Sequence, residues 1–199
     1  MSRARVWLGV LVVVSGCRIE TRAPASAAGA PTDSLARRTP TPEGATVVVR
    51  VVPAPGPSGL VIPVAGIGPG DLVDTFDDAR SEGRVHDAID IPAPRGTPVV
   101  AAAAGTVARV FESERGGLTV YVLLPDRRTV HYYAHLDAVA PGIDAGATVR
   151  QAGNVGTVGS TGNASPEAPH LHFAVWRAPS AEAFWDGEAA NPYPLLSGR

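Results

Sequence analysis

The sequence predicts an all-β, antiparallel domain, and three observations support it. Short β-rich segments recur from about residue 60 onward, each bounded by glycine, proline or Asx-type turn signals. No long stretch carries the 3.6-residue apolar period of an amphipathic helix. The apolar share of 45% over 199 residues is enough for one core plus appendages.

Taken in order, the chain starts with a basic end, Arg3 and Arg5, followed by the apolar run Val6–Val14. A bilayer span needs ~20 apolar residues, so this run reads as an export signal and not as a membrane helix. Val14-Ser15-Gly16-Cys17 resembles the lipobox of bacterial lipoproteins. The resemblance implies a signal peptide over 1–16, cleavage before Cys17, and lipid attached to the Cys17 sulfur. Arg18, in place of aspartate, implies sorting to the outer membrane of a Gram-negative cell. Residues 17–45 are rich in Ala, Pro, Thr, Ser and Arg, and bury too little surface to offset their ordering entropy. They read as a lipid-anchored flexible tether. Residues 46–59 form a short extension in which the β-branched run Val47–Val52 reads as a strand, broken by Pro53, Pro55 and Pro57.

The main domain is expected over 60–199. Its predicted strands are Thr97–Ala103, Thr106–Phe111, Leu118–Leu124, Thr129–His135, Asn154–Val158 and His170–Trp176. The breaks are Gly105, Gly116-Gly117, Pro125-Asp126, Pro141-Gly142 and Gly162-Asn163. A brief helical turn is expected at Asp74–Ala79. Trp176, Phe184 and Trp185 are expected to close the core, and Asp74, Asp77 and Asp78 to lie on a solvated face.

Composition removes several function classes. A net charge of −2 argues against nucleic-acid binding. The sequence holds no lysine, which excludes a Schiff base and a P-loop lysine, so the glycines at 153, 156, 159 and 162 read as turn and strand-edge residues. With one cysteine there is no intrachain disulfide, and a thiol hydrolase would have to use Cys17. Ser160 lacks a Gly-x-Ser-x-Gly frame because Val158 takes the first glycine's place.

The chemistry is concentrated in the histidines. Four of five sit in His86-Asp-Ala-Ile-Asp90, Ala134-His135-Leu136 and His170-Leu171-His172. On a strand, His170 and His172 point to one face and Leu171 and Phe173 to the other. His86 and Asp90 at i, i+4 also share a face, and Ile91-Pro-Ala-Pro argues against a helix there. An imidazole–carboxylate pair with a further histidine leaves a coordination position open, the pattern of a catalytic zinc site. His131, which on a strand shares a face with Tyr133 and His135, reads as a structural or rim residue and not as a cleft residue; whether Tyr132 and Tyr133 pack or bind substrate is left open.

These three motifs, in this order, resemble the M23 metallopeptidase family (lysostaphin-type, LytM). Supporting phrases are Ala93-Pro94-Arg-Gly96-Thr97-Pro98-Val99, Gly105-Thr-Val107 and Gly159-Ser-Thr-Gly162-Asn163. The likeness spans roughly residues 60–177 and implies the lysostaphin-type antiparallel fold. It also implies zinc held by His86, Asp90 and His172, with His135 and His170 lining the cleft as catalytic residues. The expected division makes His170 the base and His135 the oxyanion donor. One departure is Ala88, where the family carries glycine; a methyl fits if φ is negative there. The implied activity is zinc-dependent endopeptidase cleavage of peptidoglycan cross-links, at the D-Ala–diaminopimelate bond of a Gram-negative wall. The protein would act as a monomer in the periplasm, held to the membrane by lipid. The alternative is a non-catalytic LytM-type module that binds the wall and regulates other hydrolases; such modules have typically lost ligands that this chain keeps.

Overall fold

The computed structural model describes Gly56 and residues 58–199. The expected signal peptide, Cys17 lipidation site, tether and Val47–Val52 strand lie outside the described residues. Within them the all-β, antiparallel expectation holds. Nine strands join one hydrogen-bonded sheet: β1 (Ile89–Pro92), β2 (Pro98–Val100), β3 (Gly105–Ser113), β4 (Gly117–Leu123), β5 (Thr129–Val139), β6 (Thr148–Val149), β7 (Asn154–Val158), β8 (His170–Arg177) and β9 (Glu188–Ala190). Every strand pairing is antiparallel. The main path runs β1-β8-β5-β4-β3-β6, with β2-β7 joined through β5 and β9 continuing the β8 edge beside β1.

β5 is the hub. Its first half lies between β4 and β8, and its last residues turn to pair with β7. Alternation explains which face each residue serves. On β8, Leu171 and Phe173 are fully buried, whereas His170 and His172 face the opposite side. The core gathers Ile62, Ile89, Ile91, Val99, Val120, Tyr133, Leu136, Leu171 and Phe173. Tyr133 carries a polar hydroxyl into that core and satisfies it by accepting from the Ala102 N–H at 2.9 Å.

Several expectations are corrected. Asp74–Ala79 forms no helix; a tight turn at Phe76-Asp77 is followed by an Ala79–Val85 bridge enclosing a 3-10 turn at Ser81–Gly83. The short strands β6 and β9 and the six-residue helix α1 (Pro192–Ser197) have no counterpart among the predicted elements. Asn191 caps α1 by accepting from the Tyr193 N–H, and Gly198 ends it in the left-handed region. Trp185 does not close the core but is 61% exposed. Trp176 and Phe184 pack with Tyr121 and Tyr132 in a half-buried aromatic group on the cleft side of the sheet.

Two glycines bind the loops that frame this side. Gly117 and Gly162 both hold positive φ, and a Cβ on either would collide with the other's backbone. The β3–β4 turn and the loop after β7 therefore touch main chain to main chain, joined further by Asn163 N–H donating to the Arg115 carbonyl at 3.1 Å.

Candidate metal centre and cleft

The three expected ligands are brought together by sheet pairing and one ordered loop. Asp90 on β1 is the register partner of His172 on β8, placing carboxylate and imidazole side by side. His86 precedes β1 in a segment pinned by main-chain bonds, His86 N–H to the Asp78 carbonyl and Asp87 N–H to the Phe76 carbonyl, each 3.0 Å. Asp87 takes the left-handed conformation, φ 57, so the reversal falls before Ala88. Ala88 is absent from the positive-φ residues and its methyl is fully buried, which meets the condition for alanine at that position.

The three donor atoms form a near-equilateral triangle. His86 Nε2 lies 3.0 Å from His172 Nδ1 and 3.0 Å from Asp90 Oδ1, and the latter two are 3.1 Å apart. Tetrahedral zinc bonds of 2.0–2.1 Å place neighbouring ligand atoms about 3.3 Å apart, so the triangle fits the ion closely. Outer partners fix the donors. His86 Nδ1 lies 2.8 Å from the Thr75 carbonyl, which can only accept, so the proton sits on Nδ1 and Nε2 keeps its lone pair. The Thr75 hydroxyl accepts from the Asp90 N–H at 3.1 Å. Arg80 donates to Asp90 Oδ2 at 2.6 Å, so that Oδ1 is the oxygen turned to the two imidazoles.

Protonation matches this role. Burial pushes the Asp90 carboxyl up, but hydrogen bonds with His172 and His86 outweigh it and hold the group far below the usual carboxylate range. Burial pushes His172 down. An ionised carboxylate and neutral imidazoles are the forms that bind a metal.

His135 reaches this site through a bulge. On a regular β5 it would share a face with His131 and Tyr133, as the sequence alternation indicated. Instead the pairing with β4 shifts by one residue between Val120↔Tyr133 and Leu118↔Leu136, and His135 sits in the extra position with φ 58. The bulge turns its ring to the cleft side, 5.0 Å from His170 and 5.6 Å from His172 between ring centroids. His135 Nδ1 lies 2.8 Å from the Thr161 carbonyl and His170 Nδ1 2.8 Å from that of Ala168. In both rings the contact to a carbonyl oxygen assigns Nδ1 as the donor and leaves Nε2 as the other ring nitrogen. Burial pushes His135 down to about 4, keeping it neutral at ordinary pH.

His131 stays inside the core, against the edge of Phe173 at 5.4 Å, with Nδ1 buried and without a hydrogen-bond partner. It is structural, not a cleft residue. Burial pushes it down to about 4. An unfolded histidine titrates near 6.5, so between pH 6.5 and 4 the unfolded chain binds a proton that the native state refuses. Stability therefore falls as pH drops through this window, by about 2 kcal/mol at pH 5. Urea unfolding at pH 7 and pH 5 is expected to show a loss about 2 kcal/mol smaller in His131→Leu than in the native chain, the remainder coming from the other buried imidazoles, His135 among them. Equal losses in both would assign it to other groups.

Around the triad is a cavity of about 390 Å³. One wall carries Arg80 and Arg84; Arg115 and Asn163 belong to the opposite wall; Tyr132 also lines it. No motif in the sequence marks these arginines or Thr75. The nearest signal was the arginine pair at 80 and 84 just before the first motif, which charge counting alone does not separate from a solvated face. Asp74, Asp77 and Asp78 are exposed as expected. Metal affinity should fall about 10–100-fold in Arg80→Gln, measured by competition with a chromophoric chelator, because Asp90 loses the partner that orients it. Unchanged affinity would reduce Arg80 to a surface ion pair.

The fold and donor set define a β-sheet protein with a three-ligand site of the kind catalytic metal ions occupy. The chain belongs to peptidase family M23, whose family model matches residues 84–192. It is 33% identical over 129 residues to the L-Ala–D-Glu endopeptidase of Bacillus subtilis, covering 61% of this chain and 38% of that protein. It is 37% identical over 110 residues to the DD-carboxypeptidase/endopeptidase Mpg of Neisseria meningitidis, covering 55% and 22%. The chain thus spans well under half the length of these relatives. The solved structure of LytU superposes with a TM-score of 0.52 at 28% identity, covering 63% of this chain and 83% of that one.

Proposed function

We propose that this protein is a zinc-dependent endopeptidase that hydrolyses peptide cross-links of bacterial peptidoglycan. The observation that carries the reading is the convergence of His86 Nε2, Asp90 Oδ1 and His172 Nδ1 within 3.1 Å of one another. Beside them, His135 and His170 line the same cleft. A zinc ion held by those three atoms would supply Lewis acidity, polarising the scissile carbonyl and making a water acidic enough to attack near neutral pH.

The chain's own groups handle the proton. His170 is the proposed base: it takes the water's proton at Nε2 and returns it to the leaving amine. The expected oxyanion-donor role for His135 does not suit its hydrogen bonding. With Nδ1–H committed to Thr161 and the ring kept neutral by burial, Nε2 can only accept. We assign His135 to orienting the nucleophilic water by accepting its second proton in a hydrogen bond. Arg80 and Thr75 hold the ligands in place, and the buried bulge holds His135.

Relatives named for cleaving L-Ala–D-Glu and D,D bonds support a substrate made of mixed L- and D-residues. Within that class we propose the D-Ala–diaminopimelate cross-link. The lipobox at Val14–Cys17 supports a lipid-anchored envelope protein on the outer membrane, facing the wall. The alternative, a wall-binding module without activity, has no feature in its favour here.

Purified protein incubated with cross-linked sacculi is expected to release uncross-linked muropeptides by mass spectrometry. Chelation should stop this and zinc restore it. Stoichiometric zinc without cleavage of any cross-linked wall would support the non-catalytic module instead.

A further inference from the structure

The phrase Gly159-Ser-Thr-Gly162-Asn163 contains a threonine that belongs neither to the metal triad nor to the lining of the cavity. Thr161 instead makes three hydrogen bonds around the β5 bulge. Its carbonyl, which can only accept, lies 2.8 Å from His135 Nδ1. Its hydroxyl donates to the Leu136 carbonyl and accepts from the Leu118 N–H, both at 2.9 Å. One residue therefore holds the ring of His135, the main chain that follows it, and the start of β4.

A half-buried threonine bonded to nearby main chain is ordinary by itself. The bulge gives these bonds a further consequence. His135 holds φ 58, a left-handed conformation that a residue with a Cβ keeps only where its surroundings over-determine it. Its own N–H donates to the Gly116 carbonyl at 2.8 Å, in the turn that Gly117 joins to Gly162. Main chain and ring of His135 are thus fixed by the same pair of loops. Removing the Thr161 hydroxyl takes away its bonds to Leu136 and Leu118, and with them the tie that sets the Thr161 carbonyl beside the imidazole.

We propose that Thr161 is a positioning residue for catalysis, which fixes the tautomer and direction of the His135 ring and acts on the reaction only through that ring. This rests on the peptidase reading above and on His135 as the group that orients the nucleophilic water. With the proton held on Nδ1, Nε2 is the nitrogen left to accept from water. A ring released from the carbonyl exchanges tautomers and presents Nε2–H for part of the time, a form that cannot accept there. Misplacing a positioned group by about 1 Å can lower turnover about 10²-fold.

The test uses Thr161→Val in the zinc-loaded full chain, a change that keeps the shape and removes the hydroxyl. Its kcat on cross-linked muropeptides is expected to fall about 10–10²-fold, with KM, zinc content and the far-UV spectrum retained. Nitrogen NMR should show His135 as the Nδ1–H form in the native protein and as a mixture of both tautomers in Thr161→Val. Thr161→Ser, which keeps a hydroxyl, should hold both the native rate and the single tautomer. Added to His135→Ala, Thr161→Val should lower the rate no further, because both changes remove the same contribution. A native kcat in Thr161→Val, or losses that simply multiply in the double variant, would overturn the assignment and leave the peptidase reading standing. A native His135 ring carrying its proton on Nε2 would overturn it too, and that measurement needs no variant to fold. No cleavage by the native chain would overturn both readings.

Discussion

His172→Ala is expected to abolish both zinc binding and cleavage. His172 closes the donor triangle from β8, and without it His86 and Asp90 supply two ligands where a catalytic site needs three. Loss of the ion removes several kcal/mol of charge stabilisation, about 10³-fold in rate or more. Zinc content by mass spectrometry and muropeptide release should fall together, while the sheet persists because Leu171 and Phe173 on the same strand still fill the core. A variant that cleaved at the native rate without zinc would overturn the metal assignment.

His135→Ala is expected to separate the two. The residue holds none of the three donor atoms, so zinc should stay near stoichiometric while kcat drops about 10²–10⁴-fold, the span of positioned proton-handling groups. Because His135 is pushed down to about 4, the native enzyme's activity should show no titration of this ring between pH 5 and 8. Full activity in His135→Ala would remove it from the mechanism. A loss of zinc equal to that in His172→Ala would make it a ligand's support.

Much of this could be read from the residues because strand alternation is a local rule. Spacing alone puts His170 and His172 on one face and Leu171 and Phe173 on the other, and the sheet obeys. The same rule misplaced His135, grouping it with His131 and Tyr133. One extra residue in β5 inverts the alternation, and nothing in Tyr-Tyr-Ala-His-Leu announces a positive φ at the histidine. Residue type alone favours the core for Trp185, but it lies on a loop, 61% exposed, with its ring against that of Phe184. β6 and β9 are two and three residues long, too short for any periodicity to show. Arg84 and Arg115 share a cleft only because the first lies beside the β1 end of the sheet and the second in the β3–β4 turn, a meeting that only the tertiary fold creates.

Asp90 and His172 are neighbours in register but stand 82 positions apart in sequence. An ion bound between them therefore acts as a clasp, stitching a short edge strand of four residues to the interior of the sheet. Long loops are the costly ones to close, and the clasp closes one without a covalent bond. Since the unfolded chain does not present the triangle, every increment of free zinc above its dissociation constant should add to thermal stability. Wherever zinc is scarce, the sheet edge would loosen at the place where chemistry would otherwise occur, so supply of the ion would govern persistence as well as turnover.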